Sequence, residues 1–322
     1  MRHLPHPFGR VTVSMVTPFL ADGSLDADGA AWLAARLVDR DGADGILVNT
    51  AIGEAPTTTD AEKDALLRAV VDAVGDRAVV VAGVGSGDTL RATRLARAAE
   101  RAGAHGLLVV PPHFNPPLRQ AILHHMRTIA TCTDLPVLVC DDPEQAGMEL
   151  SRATLLRLAE HPRILGVQDC AGDLGKSASV IGESGLSYYS GADELNLPLA
   201  AVGAVGCVST AGNVAVGAVR AVLDAYDAGC VARAAHTNRS LLPLIRALTR
   251  TRFPTATTVK ALLNHQGVPA GPVRMPLISA GPRLTASLAA VLAEVERAFE
   301  LPGAGPGAGA AEVLGARSWE VS

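Results

Sequence analysis

Short apolar runs alternate with longer stretches of helical period along most of this chain. Residues 11–16 read as a strand, followed by the turn-rich T-P-F-L-A-D-G-S segment. Asp26 then caps a helix through about Asp41, with Leu33, Leu37 and Val38 at helical spacing. Residues 45–49, G-I-L-V-N, form a second strand. Thr59 or Asp60 opens a helix that Gly75 is placed to stop. The pattern continues with strand 78–82 before helix 89–102, strand 106–110 before helix 118–131, and strand 137–140 before helix 151–160. Strand 164–167 precedes a helix from about Gly175, strand 187–190 precedes helix 194–202, and strand 204–208 leads into a helix ending near Ala228.

Each strand is near-continuously apolar, as expected for a parallel sheet covered on both faces. Eight such strand–helix units close most simply into a (β/α)₈ TIM barrel, an α/β fold that takes about 250 residues. A doubly wound open sheet is the alternative. The sequence therefore predicts a barrel over residues 1–229 and a wholly helical extension over 230–301. A flexible low-complexity tail, P-G-A-G-P-G-A-G-A-A at its start, fills 302–322.

Composition narrows the function. The net charge is −4 with both signs scattered, and no basic stripe or aromatic platform appears, which excludes nucleic acid as the main partner. Residues 197–219 carry no formal charge over about one membrane span. They contain Pro198, several glycines, Ser209, Thr210 and Asn213, so a buried strand and helix is expected instead. Five cysteines, spread without a C-x-x-C pair, read as reduced thiols. The N-terminus lacks the apolar core of a signal peptide. The expectation is a soluble cytoplasmic protein that acts on a small molecule, with no membrane partner.

The motifs then agree with one family. The opening V-T-P-F-L-A-D-G-S-L-D, the V-N-T-A-I-G-E loop ending at Glu54, and A-G-V-G-S from Ala82 to Ser86 resemble the dihydrodipicolinate synthase / N-acetylneuraminate lyase family. So do V-V-P-P-H-F-N, D-L-P-V-L, Y-S-G-A-D, G-A-V-G-C-V-S-T-A-G-N-V, T-V-K-A-L-L and R-M-P-L, in order across residues 11–299. The resemblance implies a barrel with C-terminal helices, a homo-oligomer (tetramer or dimer), and condensation or cleavage of 2-oxo acids through a Schiff base on a lysine. That step needs an amine whose iminium stabilises the adjacent carbanion.

The family's lysine ends its sixth strand in a motif like G-I-K-D-S-S-G-D. Here the stretch is G-V-Q-D-C-A-G-D, so Gln168 occupies the lysine position, and an amide nitrogen forms no imine. The relay tyrosine corresponds to Cys140, and the carboxylate-binding arginine to Gln145. Two threonines of a G-T-T-G-E-like loop correspond to Ala51 and Ile52. A tyrosine often lent by a neighbouring subunit corresponds to Phe114, beside His113. The chain's three lysines are Lys63, Lys176 and Lys260. Lys63 and Lys260 are expected to be solvated or structural, while Lys176 follows the sixth strand on the catalytic side.

Several readings stand side by side. Gln168 either bonds a ligand carbonyl or carboxylate or is a filler satisfied by backbone. Cys140 and Cys170 are either reactive groups or inert buried thiols. Asp141, Asp142 and Asp169, with Glu54, are candidates for acid–base work if their carboxylates converge, or else loop caps. The candidate catalytic set is Gln168, Cys140, Asp141, Asp169 and Glu54. The candidate binding set is Ala51, Ile52, His113, Phe114, Gln145, Cys170, Gly191 and Val208. No residues stand at metal-ligand spacing, so no metal and no cofactor are expected. The leading expectation is a repurposed lyase- or cyclase-type enzyme without Schiff-base formation, acting on an oxo-acid-derived or polar metabolite. The alternatives are a catalytically silent binding protein and an aldolase that uses Lys176.

Overall fold

The apolar runs become eight parallel strands: β1 (Val11–Ser14), β2 (Gly45–Val48), β3 (Val79–Gly83), β4 (Gly106–Val109), β5 (Val137–Asp141), β6 (Ile164–Asp169), β7 (Ser187–Ser190) and β8 (Gly206–Ser209). They pair in chain order, and β1 joins β8 to close the barrel. The structure is a computed structural model that describes residues 6–112 and 118–300. Among the described residues nine α-helices thread between or after the strands: α1 (Ala27–Ala35), α2 (Asp60–Val74), α3 (Thr89–Arg101), α4 (Arg119–Thr131), α5 (Pro143–Ala146), α6 (Arg152–Ala159), α7 (Leu174–Ser184), α8 (Asn196–Ala201) and α9 (Gly212–Asp227). The (β/α)₈ barrel is thus the observed fold, and the open sheet is excluded.

Local chemistry accounts for the helix starts. The Asp26 carboxylate accepts from Gly29 N at 2.8 Å. Thr59 and Glu62 form a reciprocal capping box that satisfies two backbone donors at the head of α2. Gly75 follows α2 as its C-cap. The apolar 197–219 stretch is divided among α8, β8 and the start of α9. Among the described residues no helix is long and apolar enough to cross a membrane.

Strand residues separate by parity into two buried sets. Ile46, Val48, Val80 and Ala82 face the helices, within the larger core shell. Leu47, Val81, Leu108, Leu138, Tyr189 and Val208 fill the barrel interior. Phe8 plugs the N-terminal end of that interior. Its backbone N–H donates to Tyr189 Oη at 3.1 Å, and the two rings meet edge to face at 5.8 Å. The strands give way to admit it: a Cβ on Gly106 would sit 2.9 Å from Phe8, and one on Gly166 would sit 3.3 Å away. Among the described residues the opposite, C-terminal end of the barrel opens to a cavity.

After α9 come α10 (Val231–Thr249), α11 (Thr255–His265) and α12 (Pro282–Glu300), packed on one another and on α9. The expectation of an all-helical extension needs correcting at 266–281, which is not helical. Pro269, Pro272 and Pro276 lie there, and each removes a helical N–H donor and crowds the preceding turn. This segment instead turns back to the barrel. Arg274 N donates to Glu54 Oε2 at 2.8 Å, and the Arg274 guanidinium bonds the Glu62 carboxylate. The expected tail at 302–322 lies outside the described residues.

Candidate functional site

Period-two alternation at the ends of β5 and β6 decides which polar side chains reach the open mouth. Cys140 pairs with Gln168 across the ladder, and Asp141 with Asp169. Cys140 and Gln168 point inward, so the next pair points outward between the strands and α7. A cavity of about 400 Å³ opens above the inward pair. Ala51, Ile52 and Gln145 line its walls, while Cys140, Gln168, Cys170, Gly191 and Val208 line its base. Eight of the residues expected at the site are therefore brought together. His113 and Phe114 lie outside the described residues.

Gln168 is only 9% exposed. Its Nε2 lies 3.7 Å from Cys170 Sγ, and its Oε1 finds no hydrogen-bond partner among the described residues. The filler reading supposed backbone satisfaction, and none is present at that oxygen. Gly191 makes room for this arrangement: a Cβ there would collide with Cys170 Sγ and lie 2.8 Å from Gln168 Cγ. The Cys170 thiol is pushed well above its ordinary pKa, first by its hydrogen bond with Cys140 and then by burial. It is accordingly a protonated thiol in this state and no ready nucleophile.

Asp141, Asp169 and Glu54 do not join the cavity lining, contrary to the expectation that the carboxylates converge. Asp141 accepts from Leu150 N at 2.8 Å and from Lys176 Nζ at 2.7 Å. Asp169 takes the Ser177 hydroxyl on one oxygen, and Ala171 N and Gly172 N on the other, at 2.9 and 3.1 Å. Both therefore tie their strands to the turn and helix beyond. Glu54 is buried against Lys260, whose ammonium lies 2.7 Å from Oε1 as a charge contact rather than a well-directed hydrogen bond. For Asp141 and Asp169 the reason is geometric, since a residue next to an inward one on a strand faces the other way.

All three lysines are held by fixed partners. Lys176 also bonds Glu149 at 2.6 Å. Burial opposes its charge, but the bonds to Asp141 and Glu149 outweigh it and raise its pKa. That disqualifies it as a free amine. Lys63, expected to be solvated or structural, is buried and lines the cavity. Its Nζ donates to Ala55 O at 2.8 Å and to Thr58 O and Oγ1 at 2.5 and 2.7 Å, while burial lowers its pKa to about 8. A signal for its placement existed, because Lys63 stands three, four and seven residues before Leu66, Leu67 and Val70, the buried stripe of α2.

Asn49 and Arg91, which no sequence pattern marks, join Asp142 as polar lining residues. Asn49, at φ 61°, donates to Lys63 O at 3.2 Å and leaves Oδ1 without a partner among the described residues. Arg91 reaches the cavity from α3 while bonding Asp60 at 2.7 Å. Asp142 caps α5, accepts from Gln145 N and Nε2 at 3.2 and 2.6 Å, and has its pKa raised chiefly by burial. It is the one carboxylate among the described lining residues, and it sits with Cys140 and Cys170 so that one ligand atom of each lies within 4.8 Å of the others.

A closed parallel barrel with a cavity at the C-terminal strand ends defines a barrel of the kind that hosts small-molecule chemistry. The chain belongs to the dihydrodipicolinate synthetase family, whose model matches residues 7–295. It is 52% identical to 4-hydroxy-tetrahydrodipicolinate synthase 2 of Streptomyces coelicolor over 88% of this chain and 93% of that protein. It is 50% identical to the 4-hydroxy-tetrahydrodipicolinate synthase of Acidothermus cellulolyticus, over 86% and 89%. Among solved structures, the dihydrodipicolinate synthase of Cyanidioschyzon merolae with lysine bound superposes with a TM-score of 0.86 at 32% identity, covering 90% of this chain and 99% of that one.

Proposed function

We propose that this chain is a lyase- or cyclase-type enzyme that acts on a small oxo-acid-derived or polar metabolite without forming an imine. The single observation behind this reading is Gln168 at the cavity base, a non-basic amide with a buried, unpartnered oxygen where the family motif has its lysine. Such an oxygen costs about 1–3 kcal/mol while unpaired, and a ligand donor recovers it. The walls suit an anionic or polar substrate, since Lys63 and Arg91 supply positive charge. Family membership supports lyase-like chemistry; the imine-free step is the proposal. Cys140 and Gln168 belong at the reacting centre, whereas Asp141, Asp169 and Glu54 serve the frame around it.

One observation favours a second reading. Lys63 is an amine in the cavity wall with its pKa brought down to about 8. An imine there would require Nζ to leave its three acceptors, which hold the amine as a donor. Incubation with pyruvate and borohydride tests both readings, with intact-mass measurement. The imine-free proposal expects no mass change. An adduct mapped to Lys63 would sink it in favour of displaced aldolase chemistry. Turnover abolished by Cys140→Ser separates an enzyme from a silent binding protein. By the same resemblance we place the chain in a cytoplasmic homo-oligomer, tetramer or dimer, which sedimentation checks.

A further inference from the structure

We propose that Cys140, Asp142 and Cys170 bind one thiophilic divalent cation of the zinc class at the base of the cavity, with Gln168 at its edge. Their ligand atoms already lie within 4.8 Å of one another. Zinc at about 2.3 Å from sulfur and about 2.0–2.2 Å from oxygen would draw them to roughly 3.5–3.8 Å, a change that side-chain torsions absorb. Two thiolates and one carboxylate favour zinc over magnesium or calcium, whose ligands are all oxygen. Three protein ligands leave a fourth tetrahedral position open, the pattern of a reactive rather than a structural zinc site.

A second observation points to the same place. Gln168, nine-tenths buried, lays its amide 3.7 Å from Cys170 Sγ and leaves Oε1 unpartnered among the described residues. A water on the open metal position supplies the donor that this oxygen lacks. Gln145 holds the Asp142 carboxylate through two N–H bonds, the outer support that metal-binding carboxylates ordinarily have. The linear spacing concealed the set because its members close only when β5 and β6 pair.

Binding is a simple exchange. Each thiol yields its proton to solvent, and the cation takes both sulfurs and one carboxylate oxygen, so up to two protons leave per ion. A further role, polarising a substrate carbonyl where the family uses an imine, rests on the imine-free reading above. The binding itself does not.

The test is titration of the full chain, reduced and stripped of metal, with cobalt(II) alone and then zinc(II). The expected result is one cobalt per chain, with sulfur-to-cobalt charge-transfer absorption that zinc abolishes. Competition with a chromophoric chelator should show zinc affinity falling ~100-fold or more in Cys140→Ser and in Cys170→Ser, and about tenfold to a hundredfold in Asp142→Asn. Cys230→Ser, exposed and remote, should leave it unchanged. Absence of stoichiometric binding by the unaltered chain overturns the proposal, whether or not the variants fold. Binding that survives both serine variants overturns it as well, as does a Cys140–Cys170 disulfide that re-forms in the presence of zinc. The borohydride experiment reads the reaction and this titration reads the site, so either can fail alone.

Discussion

Two buried polar clusters sit at the same end of this barrel and differ in how far their atoms are satisfied. In the first, Glu54 meets the Lys260 ammonium at 2.7 Å and accepts from Arg274 N at 2.8 Å. Lys260 also donates to Pro272 O at 2.7 Å and lies 4.3 Å from the centre of the Phe19 ring. In the second, Gln168, Cys140 and Cys170 face a cavity and leave an amide oxygen unpaired. The first cluster fastens the β2–α2 loop to the C-terminal segment. The second retains an unmet demand for a hydrogen-bond donor. Both clusters are buried, but only the second lies in the described lining of the cavity.

That contrast can be broken by substitution, with the paired cluster showing the largest effect. Glu54→Ala should cost about 3–5 kcal/mol in urea unfolding, because it strands a buried ammonium. The double change Glu54→Leu with Lys260→Met should recover most of the loss; a double variant as unstable as the single would mean that packing, not charge, fastens the loop. Gly191→Ala should cost about 1–3 kcal/mol by forcing Gln168 and Cys170 from their positions, and should abolish any ligand-induced rise in melting temperature. Gln168→Leu has the opposite sign. Removing an unpaired buried acceptor should raise stability by about 1 kcal/mol, and a loss of that size would mean that the oxygen is satisfied in solution.

The smallest effect is one of pH. The Arg274 hydrogen bond holds the Glu62 carboxyl down to about 2, from an ordinary 4.5. A depressed carboxylate stabilises the fold fully above its unfolded value and ceases to do so as pH falls through its folded one. Stability should therefore decline between about pH 4.5 and 2, by about 1 kcal/mol after solvent screening. Glu62→Gln should flatten that part of an acid titration followed by circular dichroism. An unchanged acid limb would show that the Arg274 contact carries little.

Much of the frame was legible before folding. The strand starts at Val11, Gly45, Gly106, Val137, Ile164 and Ser187 all follow from short apolar runs, and the caps at Asp26 and Thr59 follow from side chains matched to free backbone N–H groups. The site was half legible. The strand-end places of Cys140 and Gln168 are legible, and so is the strand parity that turns Asp141 and Asp169 away from them. Lys63 meets the structural half of its expectation, bonding three loop oxygens from the buried stripe of α2 where the helical period places it. The non-helical course of 266–281 depends on where Pro269, Pro272 and Pro276 send the chain, which no local period shows.

The sequence by itself determined the repeat, the barrel it closes into, and the absence of a lysine from the end of β6. These are local matters, set by period, capping and residue identity. Only the tertiary structure decided that Glu54 is consumed by Lys260, that Lys176 is tied to Asp141 and Glu149, and that Asp142 stands with Cys140 and Cys170. Each depends on which groups meet across strands and loops distant in the chain.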